Sequence, residues 1–163
     1  MKGVQELRQR LAQHLEGKGL EAVTAWGEVR RQRPGGAVAA VSLRAMESGQ
    51  PGFQNYLGER YNAESGCWEE LYGKRVELTF GLDLYAATAE EVQAGLDALS
   101  AALSESGPEG MEPVGFSTGE TVYRQEDRRY FCPVQAKFGV WAVAVAREDG
   151  SFLDYEVRGE SKA

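Results

Sequence analysis

The chain has 163 residues, of which 42% are hydrophobic and 26% are charged. These are ordinary values for a globular domain, so they exclude the disordered and fibrous classes. A chain of this size buries roughly 70% of its unfolded surface, so we expect a single domain over residues 1–163 that folds without disulfides or metal. The 25 acidic residues outnumber the 18 basic ones and give a net charge of −7, which argues against a protein that grips nucleic-acid phosphates through clustered Lys and Arg.

Two elements are predicted before the first long strand. Apolar residues recur at helical spacing near the N-terminus, at Val4, Leu7, Leu11 and Leu15, which predicts an amphipathic helix that ends at Gly17 and Gly19. A short strand is predicted around Val23. After a turn signal at 33–36, Arg-Pro-Gly-Gly, the small and β-branched run at 37–43 predicts a strand that is buried on both faces.

Residues 45–67 predict a long loop. Five turn-forming residues interrupt the segment, namely Gly49, Pro51, Gly52, Gly58 and Gly66. A loop of this length is typical of a functional element or a projecting hairpin; the alternative is that its aromatic residues cover one edge of the core. Since exposed aromatics would form a sticky patch, we hypothesise that the segment packs on a neighbouring copy of the chain. The candidate subunit-interface residues are Phe53, Tyr56, Leu57 and Tyr61.

The strongest local signals follow this segment. Apolar and polar residues alternate over 74–85, which predicts a strand with one apolar and one polar face. Residues 88–91 have the spacing of a capping box, in which the Thr88 hydroxyl accepts a hydrogen bond from the Glu91 N–H and the Glu91 carboxylate reaches back. The predicted helix then carries an apolar stripe of Val92, Leu96, Leu99 and Leu103 and ends at Gly107 and Pro108.

The C-terminal third is predicted to be strands. A weak strand at 114–124 and a charged turn at 125–129 precede a long strand at 131–146. Asp149 and Gly150 are typical of a hairpin turn, so a C-terminal β-hairpin is predicted at about 138–158. Taken together, the elements predict an α+β fold with a mainly antiparallel sheet and two helices packed on one face.

No catalytic constellation is found in the sequence. The single histidine, His14, lies in the first predicted helix without a nucleophile beside it. Two acidic pairs, Glu69-Glu70 and Glu90-Glu91, leave a carboxylate hydrolase as a third hypothesis, although the second pair suits a helix N-terminus. We therefore predict a protein that is not an enzyme, with no catalytic residue, no cofactor and no metal site.

The remaining signals concern the cellular setting. No stretch approaches the ~18 apolar residues of a membrane helix, and the N-terminus lacks the apolar core of a secretory signal, so we expect neither membrane nor export. Cys67 and Cys132 lack metal-site spacing and are expected to be thiols, a single disulfide being the alternative. The basic cluster at 30–33 is expected to be a solvated loop rather than a nucleic-acid contact.

The order of elements resembles the tail-terminator and tail-completion (minor tail) proteins of long-tailed bacteriophages and prophages. The resemblance covers roughly residues 4–146: an amphipathic helix, the buried run Ala37-Val38-Ala39-Ala40-Val41, a long loop, and the strand at 76–85 that leads directly into Ala86-Ala87-Thr88-Ala89-Glu90-Glu91. The acidic turn Gln125-Glu126-Asp127-Arg128-Arg129 and the long final strand match as well. The hairpin through Asp149 and Gly150 and the longer loop at 45–67 depart from the family pattern.

The resemblance implies a structural role in the virion tail. Proteins of that family form hexameric rings that cap the tail tube and meet the head connector, so the implied partners are other copies of the chain, tail-tube proteins and head-connector proteins, assembled in the bacterial cytoplasm. The alternative function is a small-ligand-binding α+β module with an apolar pocket between sheet and helix. Its mark would be a deep cavity lined by Phe80, Phe138 and Trp141.

Overall fold

The structure, a computed structural model, describes residues 3–24, 35–49 and 55–147 together with the backbone of 152–158. Within these residues, two helices and nine strands follow one another. They are α1 (Val4–Gly17), β1 (Glu21–Val23), β2 (Val38–Ser48), β3 (Asn55–Asn62), β4 (Cys67–Ala86), α2 (Ala89–Glu105), β5 (Glu112–Thr118), β6 (Val122–Arg124), β7 (Arg129–Cys132), β8 (Val134–Arg147) and β9 (Phe152–Arg158).

Strand β4 is the centre of a nine-stranded, mainly antiparallel sheet. On one side, β3 pairs with residues 67–73 of β4 and β2 pairs with residues 76–85. On the other side, β8 pairs with residues 69–81 and β7 with residues 84–86. Beyond them, β5 and β9 pair with β8, β6 pairs with β7, and β1 lies parallel to β2. The 20 residues of β4 therefore run the whole length of the sheet.

Both helices pack on one face of the sheet, which we call the helix face. The apolar side chains of β4 that point to this face, from Val76 to Leu84, are fully buried. Phe80 and Phe138 meet edge to face there, with ring centroids 6.1 Å apart. The helices contribute Leu7, Leu11, Leu99 and Leu103, with Leu96 partly buried. The predicted α+β fold, with two helices on one face, is confirmed because each amphipathic element has a single apolar stripe to bury.

Helix α2 begins as the capping-box spacing predicts. The backbone N–H of Glu91 donates to the Thr88 hydroxyl at 3.2 Å, and the Glu91 carboxylate accepts from the backbone N–H of Ala87 at 3.2 Å. The carboxylate thus reaches one residue further back than the motif expects. Two acidic residues in the first turn, Glu90 and Glu91, lie at the positive end of the helix dipole.

The prediction of a long loop at 45–67 is wrong for most of the segment. Residues 45–48 continue β2, and 55–62 form β3, which makes a hairpin with β4 through a turn at 63–66. Two of the glycines serve the hairpin instead of ending it: Gly58 lies at a β-bulge with φ 137°, and Gly66 lies in the turn with φ 67°. Glycine adopts such angles without strain, so it occurs at bulges within strands and at hairpin turns as well as in loops.

Several predicted strand boundaries also change. Residues 114–124 form two strands, β5 and β6, and residues 131–146 are divided between β7 and β8 by Pro133, because proline offers no N–H to the sheet. Strand β2 is buried only in its first half, so it is not buried on both faces throughout. In the C-terminal hairpin predicted at 138–158, β8 and β9 do pair antiparallel, while the turn at Asp149 and Gly150 lies outside the described residues.

Candidate interaction surface

The β3–β4 hairpin, residues 55–73, extends beyond the part of the sheet that the helices cover. The helix-covered core includes Val76 and later residues of β4 but no residue of the hairpin. Its large side chains are correspondingly exposed: Tyr56 by 55%, Tyr61 by 56% and Trp68 by 50%. The hairpin therefore presents large apolar side chains that the described part of the chain does not bury.

Four of these side chains form one surface, the aromatic face, which consists of Tyr56, Tyr61, Trp68 and Tyr72. Tyr56 lies directly opposite Tyr72 in the ladder, and Tyr61 lies directly opposite Trp68. Each pair meets edge to face, with ring centroids 5.6 Å and 5.5 Å apart. Such contacts are worth about 0.5–1.5 kcal/mol per pair, so they order the rings while leaving much of their surface in water.

Two carboxylates lie between the aromatic pairs. Glu59 and Glu70 are directly opposite each other, and the Tyr72 hydroxyl donates to Glu70 at 2.8 Å. That hydrogen bond is the main cause of the raised pKa of Tyr72, whereas desolvation followed by the charge of Glu59 raises the pKa of Tyr56. The aromatic face is thus both apolar and acidic, and both phenols keep their protons at neutral pH.

The other face of the hairpin is held by polar contacts. The buried carboxylate of Glu69 accepts from Asn62 at 2.9 Å and from Arg60 at 2.8 Å. The Asn62 hydrogen bond, with that from Arg60, lowers the pKa of Glu69. Because Glu69 contacts two residues of β3 at once, it fixes the register of the hairpin and so the positions of the aromatic pairs on the other side.

The four predicted interface residues do not lie together. Tyr56 and Tyr61 belong to the aromatic face, whereas Leu57 lies on the opposite face, against Gly73 and beside Trp141. Leu57 follows Tyr56 directly and so points to the opposite face by ordinary strand alternation. The β-bulge between Tyr56 and Gly58 instead brings Tyr61, five positions further on, to the same face as Tyr56. Phe53 lies outside the described residues.

Two residues of the surface, Trp68 and Tyr72, are not among the candidate interface residues predicted from the sequence. Trp68, Glu70 and Tyr72 alternate with residues that point to the other face, so a period of two extends the strand back to residue 67. That alternation was the available signal. The mixed glycine and charged residues around it concealed the continuation of β4.

The remaining candidate residues take structural positions. The ring nitrogen Nε2 of His14 lies 2.9 Å from the carbonyl oxygen of Ser106, just beyond the end of α2. Cys67 is exposed and Cys132 is buried, both as free thiols. Glu69 and Glu70 point to opposite faces of β4, and among the described residues no three His, Cys, Asp or Glu side chains come together as a metal site. The basic cluster at 30–33 lies outside the described residues.

The cavity expected of a ligand-binding module is not found where it was predicted. Phe80 and Phe138 are fully buried and in contact with each other. Trp141 lies across the sheet from them, at a groove of about 480 Å³ that Arg75 and Glu112 also line. The three residues therefore do not share one pocket, because Trp141 and Phe138 differ by an odd number of positions on the same strand.

The sequence matches no protein-family model and no curated protein. Within the described ranges, neither helix has the length and apolar character needed to cross a membrane.

Proposed function

We propose that this chain is a structural protein of a bacteriophage or prophage tail, a tail terminator or completion protein. In this role it forms a ring with other copies of itself at the end of the tail tube and joins the tube to the head connector. It is not an enzyme and needs no cofactor. The observation that carries the proposal is the aromatic face, which offers a preformed contact surface on an extension of the sheet that lies outside the helix-covered core.

The size of the surface favours a protein partner. Covering about 100 Å² on each of three half-exposed rings would contribute roughly 7 kcal/mol at ~25 cal/mol per Å², before the entropy of association is subtracted. Aromatic residues are favoured at the centres of interfaces because they are large and lose little conformational freedom. The hairpin is ordered by Glu69 and by its aromatic pairs, so little entropy remains to be lost when a partner binds.

The charge of the chain agrees with a ring around DNA. A tail terminator surrounds the passage through which the genome moves, and a net charge of −7 avoids tight contacts with phosphates. The order of elements, from the N-terminal helix through β4 directly into α2, is the basis of the resemblance to that family. Together with the aromatic face, these features favour an assembly protein over a carboxylate hydrolase or a ligand-binding module.

The test removes one aromatic pair and compares folding with assembly. In the variant Tyr61→Ser with Trp68→Ser, the free energy of unfolding should fall by only about 0.5–1.5 kcal/mol, because both rings are half exposed. The mass in concentrated solution, measured by light scattering, should fall to that of the monomer, and incorporation into tails should be lost. Val114→Ser, an exposed apolar residue on β5, is the matched control and should assemble normally.

Two results would contradict the proposal. A loss of several kcal/mol would show that the aromatic pair belongs to the core of the monomer. Normal assembly of the double variant, in solution and on tails, would show that the aromatic face is not a contact between copies.

A further inference from the structure

We infer that the aromatic face of one copy binds the β6–β7 hairpin, residues 122–132, at the opposite end of the sheet of the next copy. The inference rests on the proposed function, since it names the partner surface within the ring. The occupant of the aromatic face is thus a second copy of this chain, and the contact is head to tail.

The two hairpins lie at opposite ends of one strand. Strand β3 pairs with residues 67–73 at the start of β4, and β7 pairs with residues 84–86 at its end. With 20 residues in β4, the two ends are separated by roughly 60 Å at about 3.3 Å per residue. Two different surfaces at the two ends of one continuous sheet are the arrangement that a head-to-tail contact requires, and such contacts form a ring when the rotation between successive copies closes.

The β6–β7 hairpin carries a second aromatic pair on the helix face. Tyr123 lies directly opposite Tyr130, and their rings meet edge to face at 5.1 Å. Tyr130 lies opposite Ala86 in the ladder and packs against the core, which places the pair on the same face as the aromatic face of β3 and β4. Tyr123 is 51% exposed. Each end of the sheet therefore offers half-exposed aromatic rings of similar size.

The charges of the two hairpins are opposite. Residues 55–73 contain four acidic side chains and one basic one, whereas residues 122–132 contain three basic and two acidic side chains. Arg124 lies over the Phe131 ring at 4.1 Å, on the face of the hairpin opposite to Tyr123 and Tyr130, and is 3.9 Å from the Asp127 carboxylate. Arg128 is exposed at the turn, where its φ is 52°. Two β3–β4 hairpins packed against each other would repel, while a β3–β4 hairpin packed against a β6–β7 hairpin would attract. Charge thus selects the head-to-tail contact over a two-fold dimer.

The test reverses the charges at each end. One variant carries Glu59→Lys and Glu64→Lys, and the other carries Arg124→Glu and Arg128→Glu; all four side chains are exposed. Each variant alone should raise the dissociation constant for self-association about tenfold or more, measured by light scattering and analytical ultracentrifugation. The combined fourfold variant keeps the wild-type net charge, restores opposite signs across the contact, and should return to within about threefold of the wild-type value.

A matched control and an independent measurement accompany the variants. Glu16→Lys with Asp97→Lys places the same charge change on exposed positions of α1 and α2 and should leave association unchanged. For the wild type, raising the ionic strength from about 0.05 M to 0.5 M should weaken association, since the charges lie near the surface and are screened. Salt-independent or salt-strengthened association would overturn the inference whatever the variants do.

The outcomes separate this inference from the proposed function. If the β6–β7 variant associates like the wild type, or the fourfold variant fails to recover, the head-to-tail pairing is wrong, while the ring proposal stands as long as removal of Tyr61 and Trp68 still prevents assembly. If the wild type stays monomeric up to about 1 mM, the head-to-tail pairing is wrong, and the ring proposal is decided by whether the variant at Tyr61 and Trp68 is still incorporated into tails.

Discussion

Gly95 of α2 lies directly against Ala37, just before β2. A Cβ atom added at Gly95 would stand 2.6 Å from the Cβ atom of Ala37 and 3.4 Å from a methyl group of Leu84. The absence of a side chain at this position lets the helix approach the sheet closely enough to bury its apolar stripe. Glycine is required at position 95 because there is no room for a side chain, and not because the backbone adopts an unusual angle.

Gly95→Ala should therefore destabilise the protein. Alanine gains up to about 1 kcal/mol of helix propensity over glycine, but the contact with Ala37 is too short and its Cβ cannot rotate away. We expect a net loss of about 1–3 kcal/mol, as for overpacked cores, measured by urea unfolding. Gly17→Ala, near the end of α1 with no atom within 4 Å of the added Cβ, should be neutral or slightly stabilising; an equal loss there would refute the steric explanation.

Leu99→Ala tests the helix-covered core. Leu99 is fully buried between α2 and the sheet, so its truncation should cost about 2–5 kcal/mol. Leu43→Ala, at a position that is 40% exposed, should cost less than about 1 kcal/mol. Similar losses for the two variants in chemical denaturation would mean that α2 does not cover the sheet as described.

Tyr85 should make the protein sensitive to alkaline pH. Burial raises the pKa of Tyr85 to about 12, with further upward influence from Asp83 and Asp127 and opposing influence from Arg124 and Arg44. In the unfolded chain the pKa of the phenol is about 10. At a pH between the unfolded and the folded pKa, the folded state therefore keeps a proton that the unfolded state loses. The free energy of unfolding should then fall as pH rises from about 10 to 12.

The variant Tyr85→Phe isolates this effect. It should flatten the dependence of the free energy of unfolding on pH in the same alkaline range, whatever its effect on stability at neutral pH. Absorbance titration of the wild type should show one tyrosine that ionises after the others. An unchanged slope in the variant would show that the pKa of Tyr85 is not raised by folding.

Glu69 should affect the stability of the protein at acidic pH. Its pKa is lowered in the folded state by hydrogen bonds from Asn62 and Arg60. The stability that it contributes is therefore present above its unfolded pKa and is lost as pH falls through its folded pKa. Glu69→Gln should reduce the loss of unfolding free energy below about pH 4.5. Asn62→Ala should also reduce this loss, because it removes one of the hydrogen bonds that lower the pKa of Glu69. Acid unfolding curves identical to those of the wild type would contradict this role.

The elements that sequence predicts well are those whose signal is local. The capping spacing at Thr88 and the alternation over 74–85 are set by neighbouring residues, so they identify α2 and the core part of β4 before any contact is known. The buried leucines of both helices follow from the same helical periodicity. For these elements, local preference and tertiary packing agree.

The candidate surface depends on the pairing of strands β3 and β4, which cannot be read from the sequence. Tyr61 meets Trp68, and Tyr56 meets Tyr72, only because β3 folds back on β4 in one register. Tyr56 and Tyr61, five positions apart, share a face only because of the bulge at Gly58, since shifting a strand by one residue exchanges its two faces. Glycine is equally compatible with a loop, a bulge and a turn, so composition alone favours a loop at 45–67.

The fold class, the helix-covered core and the excess of acidic residues are predictable from the sequence, because periodicity depends on nearby residues and net charge on their sum. Three further features become evident only in the folded chain: β4 continues back to Cys67, four aromatic rings share one face, and a second aromatic pair lies at the far end of the same strand. Those relationships join residues that are distant along the chain, and they arise from the register of long strands, which is fixed by the whole sheet at once.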